Sequence, residues 1–155
     1  NAIKIEGADG NIELIKNIVS SGVPVMGHLG LTPQSVNKLG GFKLQGIDKK
    51  SSNKILNDAK KLETAGCFSI VLEMIPSLLA KRVVEILKIP TIGIGAGKYT
   101  SGQVLVLHDL LGLSKNFSPQ FLRKYLNGYD IIKEALNNYN KDVKHRTFPG
   151  KHESY

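Results

Sequence analysis

A chain of 155 residues is enough for one ordinary domain but short of a complete eight-stranded α/β barrel, which takes ~250 residues. With 41% hydrophobic and 22% charged residues the composition is globular, and its apolar runs, such as Val104-Leu105-Val106-Leu107, fall far short of the ~20 residues of a membrane span. The net charge of +8 raises nucleic acid as a partner, yet the lysines are scattered, densest at Lys141, Lys144, Arg146 and Lys151, and no aromatic stripe runs among them. That pattern reads as a solvated basic surface, so neither nucleic acid nor membrane is expected as a partner. The single cysteine, Cys67, excludes an internal disulfide and fits a reducing, cytoplasmic compartment. It precedes an apolar run, where a buried structural thiol is expected. No targeting segment is expected, and the chain reads as starting in mid-fold, because strand-like residues begin at Ala2.

Short β-like runs alternate with amphipathic helices. Ala2 to Glu6 reads as a strand, followed by a helix from Asn11 to Ser21 that carries Ile12, Ile15 and Val19 and stops at Gly22. Val23 to His28 is a second strand. The stretch from Leu29 to Lys50, rich in Gly, Pro, Gln and Asn, reads as a long functional loop. Ser52 to Ala65 predicts a helix with Ile55, Leu56, Ala59 and Leu62 on one face, then Phe68 to Glu73 a third strand. Pro76 opens the next helix, Thr91 to Ile94 is a fourth strand ending in Gly95-Ala96-Gly97, and Gln103 to His108 a fifth. Ser118-Pro119 then predicts a helix through Leu126, and Asp130 to Lys141 a last one. Repeated strand–helix units imply parallel strands with right-handed crossovers, hence a barrel or a doubly wound sheet.

In either fold, ligands bind at the carboxyl ends of the strands. Those ends present Lys4, Glu6, His28, Glu73, the glycine turn, and His108 with Asp109. Lys4 and Glu6 leave the same face of their strand. A lysine and a glutamate facing a barrel interior must pair with each other or bind something. Glu73 closes an apolar strand, where a carboxylate suits general-base work, or else caps the helix entered at Pro76. His28 is either a catalytic donor or a hydrogen-bonded core histidine. Gly93, Gly95 and Gly97 fit neither the dinucleotide fingerprint, which needs glycine where Lys98 stands, nor a phosphate loop of the Walker type; a tight turn is the reading that remains.

Several strings in order resemble one family, ketopantoate hydroxymethyltransferase. They are Ala2-Ile3-Lys4-Ile5-Glu6-Gly7, the run from Gly27 through His28 to Ser35, Gly40 to Gly46, Val71-Leu72-Glu73-Met74-Ile75-Pro76, Gly93-Ile94-Gly95-Ala96-Gly97, Val106-Leu107-His108-Asp109 and Phe148-Pro149-Gly150. The resemblance spans nearly the whole chain. It implies a (β/α)8 TIM-type barrel of which this chain supplies strands 4 to 8 and the C-terminal helices. Residues 1–112 would hold the strands and their helices, 117–141 the terminal helices and 142–155 a tail, all one part of a single domain.

The resemblance further implies a Mg²⁺-dependent transfer of a hydroxymethyl group from 5,10-methylenetetrahydrofolate to 3-methyl-2-oxobutanoate, in pantothenate biosynthesis. Matched residue by residue, Glu6 corresponds to a metal carboxylate, Lys4 to the lysine that contacts the ketoacid, Glu73 to the proton acceptor and His28 to a histidine of the site. Two further metal carboxylates and a serine would lie in an N-terminal complement of the same barrel, and the family is a homo-oligomer. The residue types suit the chemistry, since a hard cation stabilises the enolate formed when a base removes the carbon-3 proton of a 2-oxo acid. The loop from Leu29 to Lys50 would then form a lid or rim for the folate. Two other readings are another metal-dependent barrel aldolase or lyase acting on a 2-oxo acid, and an inactive barrel fragment.

Overall fold

β-branched runs separated by amphipathic helices pair in parallel and in chain order. The computed structural model describes residues 1–35, 41 and 43–155, which divide into two units, Asn1–Val104 and Leu105–Tyr155. In the first, β1 (Ile3–Glu6), β2 (Val25–Gly30), β3 (Ser69–Glu73), β4 (Thr91–Ile94) and β5 (Gly102–Gln103) form one five-stranded parallel sheet in which each strand neighbours the next. The order does not reverse among the described residues, so the switch point of a doubly wound sheet is missing. Right-handed crossovers repeated in one direction carry every connecting helix to the same face.

Burial follows that topology. Val25, Leu29, Ile70 and Leu72 join a buried cluster with Ile15 of α1 (Ile12–Ser20), Ile55, Ala59 and Leu62 of α2 (Lys49–Thr64), and Leu79, Ala80 and Val83 of α3 (Ser77–Ile86). Side chains alternate along a strand, so Met26, His28, Ser69, Val71 and Glu73 take the opposite face, and none belongs to the cluster. The sheet therefore has one apolar face under helices and one face carrying the polar residues. Cys67 is buried in the cluster, and that burial pushes its thiol pKa up, as suits a structural thiol.

Helix α2 starts at Lys49, ahead of the Ser52 expected, because Asp48 caps it. The Asp48 carboxylate accepts from the Ser51 hydroxyl and from the Ser51 and Lys50 N–H groups, which hold it below the usual carboxylate range. Two further expectations fail. β5 is only two residues long: among the described residues its ladder with β4, which ends at Ile94, pairs Gly102 with Ile92 and Gln103 with Gly93, and Val104 N–H closes it on Gly93 O. His108 and Asp109 consequently lie on α4 (Leu107–Leu110) of the second unit and not at a strand end.

No helix forms from Ser118 to Leu126. There Leu122 N–H donates to Pro119, Tyr125 N–H donates back to Leu110, and Lys124 Nζ donates to Ser114, a loop pattern that replaces the helical ladder. A single terminal helix follows, α5 (Gly128–Lys144), running past Lys141 into the expected tail. No helix of the described residues is long and apolar enough to cross a membrane.

Candidate functional site

Four side chains named from the sequence meet at the carboxyl ends of β1, β2 and β3. Parallel register sets Glu6 opposite His28 and Gly30 opposite Glu73, on the sheet face away from the helices. Lys4 Nζ lies 3.2 Å from Glu6 Oε1 and 2.9 Å from His28 Nδ1. His28 Nε2 lies 3.2 Å from Glu73 Oε2. The salt bridge foreseen between Lys4 and Glu6 exists, and the same lysine also reaches across to β2. His28 is 2% exposed, so it is a core histidine and a member of this cluster at once.

The neighbourhood is held from several sides. Glu6 Oε2 accepts the Gln34 N–H at 3.2 Å, while Leu31 N–H donates to Glu73 O and Gln45 N–H to Met74 O, so both described ends of the expected loop are tied to the site. Leu29 and Gly30 belong to β2, and residues 36–40 and 42 of that loop lie outside the described residues. Gly30 has φ +93°, and a Cβ there would stand 2.0 Å from Glu73 O; only glycine lets β2 approach β3 at the base. Met74, next after Glu73, sits at φ 49°, a left-handed conformation that costs a non-glycine residue about 1–3 kcal/mol and survives where its surroundings fix it. Its N–H bonds Ile94 O, and its carbonyl takes Gln45. Sequence inspection missed Gln34, which acts through its backbone, and Met74, whose φ has no sequence signal.

A cleft of about 400 Å³ opens beside the ends of β1 and β2, with Glu6, Thr32, Gln45 and Lys54 in its wall. Its size is that of a small-molecule site, typically about 300–1,000 Å³. Partial burial works against the charge on Lys54, but Asp58 and Asp9 outweigh it and hold its ammonium pKa above the ordinary value. Among the described residues no group of three or more His, Cys, Asp or Glu is arranged to hold a metal. Glu6 offers a hard oxygen donor of the type Mg²⁺ takes, with one oxygen anchored by Gln34 and the other beside Lys4. It fits as one ligand of several. The Gly95-Ala96-Gly97 turn packs on the start of α3, where a Cβ on Gly97 would stand 2.3 Å from Ser77 Cβ.

The model of the ketopantoate hydroxymethyltransferase family matches residues 1–151. The chain belongs to this family. Among curated ketopantoate hydroxymethyltransferase relatives, all named 3-methyl-2-oxobutanoate hydroxymethyltransferase, that of Bdellovibrio bacteriovorus is 57% identical over 155 residues, covering 100% of this chain and 59% of that protein. The relative from Francisella tularensis subsp. novicida is 53% identical over 155 residues, covering 100% of this chain and 58% of its own. That of Coxiella burnetii is 54% identical over 149 residues, with 96% and 56% covered. The chain thus spans less than two thirds of the length of the ketopantoate hydroxymethyltransferases it matches.

Proposed function

We propose that this chain forms the larger part of an enzyme that transfers a hydroxymethyl group from 5,10-methylenetetrahydrofolate to 3-methyl-2-oxobutanoate, giving 2-dehydropantoate. The observation that carries the reading is the convergence of Lys4, Glu6, His28 and Glu73 on adjacent strand ends, in a member of this family. Five parallel strands in unbroken order support placing them as strands 4 to 8 of a (β/α)8 barrel, with an N-terminal complement supplying the first three. A cytoplasmic homo-oligomer is part of the same reading.

Lys4 has three N–H groups, of which Glu6 and His28 use two; the third serves the carboxylate of the oxo acid. Glu73 takes the proton from carbon 3, and the carbon left with the electron pair forms its bond to the folate methylene carbon. The methylene bridge first opens by breaking its C–N10 bond, N10 gaining a proton, to leave an iminium on N5 that takes the carbon-3 electron pair. Water then supplies the hydroxyl as the C–N5 bond breaks, and N5 leaves with a proton as tetrahydrofolate. Glu6 would hold Mg²⁺ together with carboxylates of the complement. When bound, the ion offsets negative charge developing on the keto oxygen.

In the complete enzyme, Glu73→Gln should slow exchange of the carbon-3 proton into D₂O by about 10²–10⁴-fold while leaving oxo acid binding nearly unchanged. Exchange at the parental rate would refute the base assignment. Glu6→Ala should raise the Mg²⁺ concentration needed for half-maximal activity, by about tenfold or more. An unaltered Mg²⁺ titration would leave Glu6 as only the ion-pair partner of Lys4.

A further inference from the structure

Lys4 does more to His28 than occupy a neighbouring position. Its ammonium lies 2.9 Å from Nδ1 and can only donate, so Nδ1 must be the accepting, unprotonated nitrogen of the ring. A neutral imidazole with a bare Nδ1 carries its proton on Nε2. Glu6 Oε1 does not compete for Nδ1, because at 3.6 Å it is beyond hydrogen-bond reach. The tautomer is therefore set by a lysine two residues before Glu6 on β1, acting across the sheet on β2.

Nε2 is buried and makes no hydrogen bond within the described residues. Glu73 Oε2 lies 3.2 Å from Nε2 but off the axis of the ring N–H. The last torsion of a glutamate is broad and roughly two-fold, which leaves that carboxylate free to turn toward the ring N–H. The ring itself is closely confined, with its side chain 3% exposed.

We infer that His28, locked by Lys4 as the Nε2–H tautomer, is a positioning residue that holds Oε2 of Glu73 and so presents Oε1 to the substrate proton. The inference rests on Glu73 being the proton acceptor. It gives the chain Lys4–His28–Glu73 one direction of donation, from ammonium to ring to carboxylate, and separates the work of the two carboxylate oxygens. His28 touches neither substrate nor reacting atoms in this scheme.

The test uses the full-length enzyme. Glutamine places its amide nitrogen near the position of Nε2, whereas asparagine places its amide near Nδ1. His28→Asn should slow carbon-3 proton exchange in D₂O about 10–100-fold with little change in KM for the oxo acid, and His28→Gln should recover part of that loss. Equal losses in the two variants, or none in either, would overturn the inference. ¹⁵N-imidazole NMR on the parent enzyme keeps it falsifiable if the variants do not fold: a bare Nδ1 and a protonated Nε2 are expected, and the reverse tautomer would overturn it. Glu73→Gln run alongside separates the two readings. Parental exchange in Glu73→Gln overturns both, whereas its loss there with parental exchange in His28→Asn overturns the positioning role alone.

Discussion

Helices α2 and α5 carry similar apolar stripes and meet different fates. In α2, Ile55, Ala59 and Leu62 are buried against β2, β3 and their neighbours, within a cluster whose members run from Ala8 to Ala96. In α5, Ile131, Ile132, Leu136 and Tyr139 are all exposed, and Gly128 is its one buried residue. Among its described residues, unit Leu105–Tyr155 buries only the glycines Gly112 and Gly128. Periodicity makes a helix, but its stability comes mostly from what its apolar face packs on. That partner lies within the first unit for α2 and not within the second for α5.

Whether the first unit is complete by itself can be tested directly. Its polar sheet face also carries Val71, Ile92 and Ile94, and among the described residues β1 and β5 are the two edges of the sheet. The 155-residue chain without an N-terminal complement should therefore be associated or molten. A monodisperse, cooperatively unfolding monomer in sedimentation and calorimetry would contradict the barrel reading. Next in size is a matched pair of deletions in the complete enzyme. Leu62→Ala, in the cluster, should cost about 2–5 kcal/mol in urea unfolding, whereas Leu136→Ala should stay within about 0.5 kcal/mol. A large loss at Leu136 would show that α5 is covered in the assembled protein.

The smallest expected effect concerns Glu63, near the end of α2. Burial opposes its ionisation, but the Lys88 N–H, the Lys60 ammonium and the Ile89 N–H outweigh that and hold its carboxyl below the usual range. A depressed folded value stabilises above the unfolded pKa of about 4.3, and the contribution is lost as pH falls through the lower folded value. Glu63→Gln should thus lower Tm slightly at pH 7, and the gap should close in strong acid. A gap independent of pH would mean that the shape of the side chain, not its charge, is what matters.

Much of the site was legible because a strand alternates its side chains. Spacing by two put Lys4 and Glu6 on one face, and apolar runs ending in His28 and Glu73 marked strand ends near the carboxyl edge. Register was not legible. The sequence does not say that His28 faces Glu6, that Lys4 reaches Nδ1, or that Gly30 lies against Glu73, since each is a relation between strands separated by a helix. The expected strand through His108 failed for the same reason, because its length depended on how far β4 continued beside it. The expected helix at Ser118 failed because local spacing could not foresee the bond from Tyr125 back to Leu110.

By itself, the sequence determined the local periods, the stops at Gly22 and Gly66, and the family to which the chain belongs. These depend on residues close in the chain or on ordered strings along it. Packing in three dimensions set the sheet in order with unlike faces, covered α2 while leaving the stripe of α5 exposed, and let one lysine bridge a carboxylate and a histidine. Those outcomes depend on which surfaces meet, and a hydrogen bond of 2.9 Å between residues on neighbouring strands exists only once both strands are in register.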